Sequence, residues 1–271
     1  MDADRMQAAG VRVQREDAVA TVTIARAGKH NAVTPELDAA MAAALRALGA
    51  DEAVRAVVLT GEGTRAFCTG ADLPTLFPEL RERVQHSPAP VNFCGLTHVH
   101  PPPGKPLIAA INRLALGGGF ELALASDLRI ASTTAQFGLP EPQWGVVAGA
   151  GGCTRVMHAL PPAVAAEVLL AGRRLSAEEA FHWGLVSRIV APEVLAATAQ
   201  QMAQRIVAAS PTAIRGLVEF WRAQHWRQDA QALDDERRLF QQLICSPATE
   251  AGIAAFVARR ATGGTAAEQR P

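Results

Sequence analysis

The sequence predicts an α/β fold in which a core of alternating strands and helices is followed by an all-helical C-terminal region. Three observations carry this expectation. Short β-branched segments alternate with helix-patterned ones up to about residue 190, and everything beyond Pro192 has helical periodicity. A hydrophobic content of 49% over 271 residues is also ample for a large buried core. The expected division is 1–192 for the core and 193–271 for the helical region.

The elements follow in order. Val11-Arg12-Val13-Gln14-Arg15 and Ala20-Thr21-Val22-Thr23-Ile24 alternate like strands, with Glu16-Asp17 as turn residues, and predict an antiparallel hairpin. Thr34-Pro35-Glu36 combines an N-cap, a proline at the first helical position and an acid in the first turn. Leu37, Met41, Leu45 and Leu48 then form one apolar stripe, and Gly49 is expected to end the helix. Residues 54–60 and 105–111 are apolar runs of the kind that form buried strands. Between them residues 74–104 read as irregular, and the five prolines from Ser87 to Pro103 predict a surface loop of the sort that covers sites. Residues 117–126 predict a buried helix, since Phe120, Leu122, Ala123, Leu124 and Ala125 leave little polar surface apart from Glu121. The chain then returns as a strand at 127–131.

Composition excludes several classes of function. With 26 basic and 26 acidic residues the formal net charge is zero, so no whole-molecule field would gather nucleic acid or an anionic membrane. Neither a secretory signal nor a membrane span is visible, and four cysteines without a C-x-x-C pair fit reduced thiols, so a cytoplasmic protein is expected. The two lysines, Lys29 and Lys105, lie outside any G-K-[ST] loop, which excludes a P-loop NTPase, and no G-x-S-x-G elbow offers a serine nucleophile. Carboxylates and backbone donors remain as the chemical tools.

Four places could use them. Gly61-Glu62-Gly63-Thr64-Arg65-Ala66 after a strand imitates the phosphate turn of dinucleotide folds, but another turn-like cluster follows where a helix should start. Gly117-Gly118-Gly119 ahead of Phe120-Glu121 would let a substrate approach the backbone and would aim helix N–H groups at an anion, or would simply allow tight packing. Glu121 in an apolar helix is costly to bury unless it is hydrogen-bonded or functional. Glu141 lies between Pro140 and Pro142, which fix the backbone around its carboxylate; a solvated loop acid is the plainer alternative. His98-Val99-His100 is at most a fragment of a metal site, and no metal is expected.

An ordered set of motifs resembles the crotonase (enoyl-CoA hydratase) superfamily: Lys29-His30-Asn31-Ala32, Arg65-Ala66-Phe67-Cys68-Thr69-Gly70-Ala71-Asp72-Leu73, Gly117-Gly118-Gly119-Phe120-Glu121 and Gly138-Leu139-Pro140-Glu141. Gly149-Ala150-Gly151-Gly152 and Trp183-Gly184-Leu185-Val186 continue it, so that it spans roughly residues 11–260. The resemblance implies a spiral of ββα units with a C-terminal helical region that forms trimers, commonly paired into hexamers. It implies an oxyanion hole from the N–H groups of Ala71 and Gly118, with Glu121 and Glu141 as the paired glutamates of a hydratase. Contacts to coenzyme A would involve Lys29, His30, Ala71, Asp72, Leu73 and Gly118, with Arg26 nearby. Coenzyme A would enter as part of an acyl-CoA substrate, without any other cofactor. Asn112-Arg113 departs from the family's Asn-Gly, and Pro74 replaces the charged residue that often follows Asp-Leu. The stretch after the glycines and Leu160-Pro161-Pro162-Ala163 also resemble carnitinyl-CoA dehydratases, which makes a betainyl substrate an alternative beside an enoyl-CoA isomerase. A non-catalytic RNA- or acyl-CoA-binding relative and a dinucleotide oxidoreductase are the remaining alternatives.

Overall fold

The computed structural model describes residues 3–86, 92–97, 105–227 and 230–261. A short helix α1 (Ala3–Ala8), which the sequence pattern does not announce, precedes the hairpin of β1 (Val11–Glu16) and β2 (Val19–Ile24). Its turn places Asp17 at φ 52, a left-handed conformation that Asp tolerates better than most residues. Helix α2 (Pro35–Ala50) starts where predicted, the Leu37 N–H donating to the Thr34 hydroxyl at 3.3 Å. It runs one residue past Gly49, which is a correction: the Asp51 N–H still bonds to the Ala47 carbonyl and caps the helix in extended conformation.

Three further turns repeat one plan, with a strand in a large sheet, a short strand in a second sheet, and then helix. They are β3 (Ala56–Gly61), β4 (Ala66–Cys68) and α3 (Leu76–His86); β5 (Leu107–Ile111), β6 (Leu114–Leu116) and α4 (Gly118–Ala125); and β7 (Leu128–Ser132), β8 (Gln136–Gly138), a 3-10 turn (Glu141–Trp144), α5 (Gly152–Ala159) and α6 (Pro162–Leu170). After β9 (Leu175–Ser176), α7 (Ala177–His182) and β10 (Arg188–Val190), the chain is helical: α8 (Leu195–Val207), α9 (Pro211–Arg227), α10 (Ala230–Ile244) and α11 (Pro247–Ala261). The large sheet has the order β1-β2-β3-β5-β7-β10, parallel from β2 onward; the small one has β4-β6-β8-β9, with β9 antiparallel. This is the expected spiral of ββα units.

Two asparagines staple successive turns where the chain passes between sheets. The Asn112 side-chain N–H groups donate to the carbonyls of Gly61, Gly63 and Ala66 at 3.1, 2.7 and 3.0 Å. Buried Asn31 donates to the carbonyls of Glu62 and Ala66 and accepts from the Arg26 N–H. Gly61 to Ala66 is therefore a strand-to-strand link, and the dinucleotide reading fails because β4 rather than a helix follows it.

Phe120 packs against Phe137 with ring centroids 5.5 Å apart, between α4 and the small sheet. On the other side, Leu195, Ala199 and Ala203 of α8 recur every four residues and cover Val19, Val58, Ile108 and Ile130 of the large sheet. Residues 74–104 are the main correction. Leu76–His86 is α3, whose Leu76, Phe77 and Leu80 are buried; helical periodicity there was hidden by Pro78 and a run of charges. Most of the proline-rich stretch lies outside the described residues.

Candidate active site

The carboxyl ends of β4, β6 and β8 meet at one pocket, with a space of about 550 Å³ that is partly open to solvent, the usual place for a ligand in an open parallel sheet. Each strand end delivers one piece: residues 69–73 after β4, the glycines opening α4 after β6, and Glu141 after β8. Ala71, Leu73, Gly118, Glu121 and Glu141 all line the pocket.

Glycine is required at this junction for specific reasons. Gly70 has φ +83, and a Cβ on it would lie 2.8 Å from the Gly118 nitrogen, so the two donor-bearing loops touch backbone to backbone. A Cβ on Gly119 would fall 1.9 Å from the Cys68 carbonyl oxygen; one on Gly117, at φ +54, would fall 2.8 Å from a Glu141 carboxylate oxygen. The Gly117 N–H donates to the Gly138 carbonyl at 2.9 Å, which clamps the start of α4 beside the Glu141 turn. The Val33 N–H donates to Gly70 O and the Asp72 N–H to Val33 O, both at 2.8 Å, so Ala71 is held without use of its own N–H. Among the described residues neither the Ala71 nor the Gly118 N–H has a hydrogen-bond acceptor, and Gly118 stands at the first turn of α4, where N–H groups lack intrahelical partners.

Both glutamates are buried, at 4% exposure for Glu121 and 8% for Glu141. One Glu121 oxygen accepts from the Ala150 and Gly152 N–H groups at 2.7 and 2.9 Å. Burial, with the neighbouring Glu236 carboxylate, pushes Glu121 up to about 7 against the pull of those donors and of Arg155. Glu141 is pushed well above the usual carboxylate range, first by burial and then by Glu121. Its Oε2 is buried and has no hydrogen-bond partner among the described residues, an expensive state that a water or substrate atom in the pocket would relieve. The pair is thus biased towards one protonated and one ionisable acid near neutrality.

Sequence reasoning missed Glu236 and Arg155. Glu236, on α10, is buried and accepts from the Gly151 N–H, the Thr154 N–H and the Thr154 hydroxyl at 2.6, 2.7 and 2.8 Å. Arg155 donates to the carbonyls of Ala150 and Thr97 at 3.1 and 2.6 Å. The available signal for Glu236 was an acid among Leu233, Phe240 and Ile244 on an amphipathic helix, which by itself reads as helix surface.

Lys29, His30 and Asp72 are not among the residues lining the acid pocket. Lys29 is exposed, and His30 closes a short 3-10 turn at φ 53; the Thr69 hydroxyl donates to its carbonyl at 3.3 Å, which ties that turn to the Ala71 segment. Asp72 pairs with Arg26 at 3.3 Å. Cys68 lies behind the glycines, but burial pushes its thiol up to about 12, far from a thiolate. His98 and His100 lie outside the described residues, and among those described no cluster of His, Cys, Asp or Glu could hold a metal ion.

Two backbone N–H groups without acceptors among the described residues and two buried carboxyl groups, on residues lining one pocket, suit chemistry that builds negative charge on an oxygen while protons move beside it. The chain belongs to the enoyl-CoA hydratase/isomerase family, whose profile matches residues 14–263. Among its relatives, a carnitinyl-CoA dehydratase of Salmonella typhi is 38% identical over 213 residues, 79% of this chain and 80% of that protein. A solved carnitinyl-CoA hydratase from Mycobacterium avium is 34% identical and superposes with a TM-score of 0.80 over 93% of this chain and 96% of its own. An enoyl-CoA hydratase from Mycobacterium tuberculosis is 30% identical, with a TM-score of 0.76 over 86% and 97%.

Proposed function

We propose that this protein is a hydratase-type lyase that adds water to, or removes it from, the Cα–Cβ bond of an acyl-CoA thioester. The observation that carries the reading is the buried Glu121–Glu141 pair in the same pocket as Ala71 and Gly118, whose N–H groups are unengaged among the described residues. In hydration, ionised Glu121 takes a proton from water as the water oxygen bonds to Cβ. The π electrons shift onto the thioester oxygen, where the two N–H groups hold the enolate; each such donor is worth about 3 kcal/mol. Protonated Glu141 then gives its proton to Cα, the carbonyl re-forms, and one molecule of water has been added. Dehydration runs the same steps backwards.

Lys29, His30, Asp72 and Leu73 are proposed to contact the coenzyme A portion, since the Lys29–His30 turn is bonded to the segment that carries Ala71. The reaction is proposed to need no metal or redox cofactor, because the thioester itself provides the electron sink. A cytoplasmic enzyme of fatty acid metabolism, assembled as a homotrimer or hexamer through its C-terminal helices and binding neither nucleic acid nor membrane, fits this reading. Among the described residues no helix is long and apolar enough to cross a membrane.

A second reading concerns the acyl group. Phe77, Phe93, Trp144 and Phe240 all line the pocket, although aromatic residues make up only 5% of the chain. Aromatic faces attract a quaternary ammonium group, so a carnitinyl substrate, as in the names of the relatives, is the alternative. Absorbance at the enoyl-thioester band should fall on addition of crotonyl-CoA, a longer enoyl-CoA or crotonobetainyl-CoA. Conversion of 3-enoyl to 2-enoyl thioesters without hydration would identify an isomerase instead. Full hydratase activity surviving in both Glu121→Gln and Glu141→Gln would sink the two-acid mechanism.

A further inference from the structure

The turn at residues 149–154 presents a row of backbone N–H groups, and two carboxylates divide them. Glu121 takes those of Ala150 and Gly152; Glu236 takes those of Gly151 and Thr154, together with the Thr154 hydroxyl. The bonds alternate along the turn, so neither acid can shift without moving the donors of the other. One helical turn beyond Glu236, Phe240 presses on the same segment: a Cβ on Gly149 would lie 2.2 Å from its ring. Helix α10 is therefore docked on this turn by an acid and a ring four residues apart, both on its buried face.

We propose that Glu236 is a positioning residue for the reaction: from the C-terminal helical region it locks the 149–154 turn whose remaining N–H groups aim Glu121, and it sets a second buried carboxylate on the same turn as that acid. This rests on the assignment of Glu121 as the acid–base group. The charges around the cluster are few. Glu121 comes from α4, Glu141 from the 3-10 turn, Cys153 and Arg155 from α5, and Arg155 is the cation that acts on both Glu121 and Glu236. On the helices beside α10, Arg81 of α3 pairs with Glu250 of α11, and Arg83 pairs with Asp38 and Glu79. On α10 itself Asp234 pairs with Arg237 and Asp235 with Arg238. Three donors and Arg155 favour Glu236 as the member of the cluster that carries negative charge, even though burial pushes it up too. Its charge then opposes ionisation of Glu121, which Coulomb repulsion from Glu236 raises.

The test is a titration of the Glu121 carboxyl by carbon-detected nuclear magnetic resonance on the full-length protein, assigned with Glu121→Gln. Glu236→Gln keeps an oxygen acceptor for the turn but removes the charge. It should lower the Glu121 midpoint by on the order of one pH unit, tenfold in proton affinity, and move the acid limb of kcat/KM with it. Glu236→Asp keeps the charge but withdraws the carboxylate from the turn; it should leave the midpoint near that of the wild type and lower kcat more than KM. An unmoved midpoint in folded Glu236→Gln overturns the proposal, as does a drop to the ordinary carboxylate range in Glu236→Asp. The second outcome decides the matter even if the glutamine variant does not fold. The titration needs no turnover, so a failure of the hydratase reading would show separately, as absence of enoyl-CoA hydration by a wild type whose Glu121 still responds to Glu236.

Discussion

At the scale of single residues, the proposed chemistry depends on two carboxyl groups whose surroundings push both upward. Burial and repulsion from neighbouring carboxylates raise Glu121 to about 7 and Glu141 well above its ordinary value; in the proposed mechanism Glu121 is the member that ionises and Glu141 the one that keeps its proton. Hydration should therefore be slow at acid pH, rise as Glu121 loses its proton near pH 7, and fall again where Glu141 ionises; a pH profile of kcat/KM measures both limbs. A linked effect concerns stability. The folded state holds the Glu121 proton more tightly than the unfolded chain, so this contribution is fully present below about pH 4.5 and is lost as pH rises through about 7. Denaturant unfolding at pH 5.5 and 8.5 should show the wild type losing stability on the alkaline side. Glu121→Gln should lose less, because its amide oxygen can still accept from Ala150 and Gly152 without a charge being buried.

At the scale of elements, the opening of α4 couples packing to function. Gly119→Ala should destabilise the fold by about 3 kcal/mol or more, since its Cβ would overlap the Cys68 carbonyl, a rigid backbone atom; thermal unfolding reads this directly. Gly117→Ala should reduce activity more than stability. Its added carbon meets the Glu141 carboxylate and the positive φ is strained, so the donor and the acid are both displaced. Much at this scale was legible in sequence. Thr34-Pro35 announced α2, the triple glycine announced a close approach, and the isolated Glu121 announced an acid that is buried only with hydrogen-bond donors around it. Strands β4, β6 and β8 were not legible, because three residues are too few to show a period of two. Helix α3 was concealed by Pro78 in its first turn, a position a helix tolerates.

At the scale of the whole molecule, the C-terminal helices are differently placed with respect to the core. Helix α8 covers the large sheet and α10 backs the pocket, whereas α9 leaves Leu217, Phe220 and Trp221 more than half exposed. The other side of α9 is anchored by buried Arg222, whose guanidinium donates to both Asp127 oxygens at 2.9 and 2.6 Å and to the Lys105 carbonyl at 2.8 Å. An anchored helix with an exposed apolar face is suited to burial against another copy of the chain. Light scattering should report a trimer or hexamer for the wild type, and Phe220→Asp should shift it towards smaller species. Arg222→Ala should cost about 3 kcal/mol in unfolding experiments, because half-buried Asp127 loses both guanidinium hydrogen bonds and, of its cations, keeps the Coulomb attraction of Arg129.

The local features can be read directly from the chain: the capped start of α2, the apolar stripes, the glycines whose φ values or close contacts forbid a side chain, and the motif order that marks the family. These are legible because each is written within a few neighbouring residues. It takes the folded chain to bring Glu121 and Glu141 to one pocket, and to let Glu236, far along the chain on another helix, grip the same turn as Glu121. The physical reason is that hydrogen bonding and burial depend on distance in space. The parallel pairing of β4, β6 and β8 and the docking of α10 supply that distance, and no local pattern encodes it.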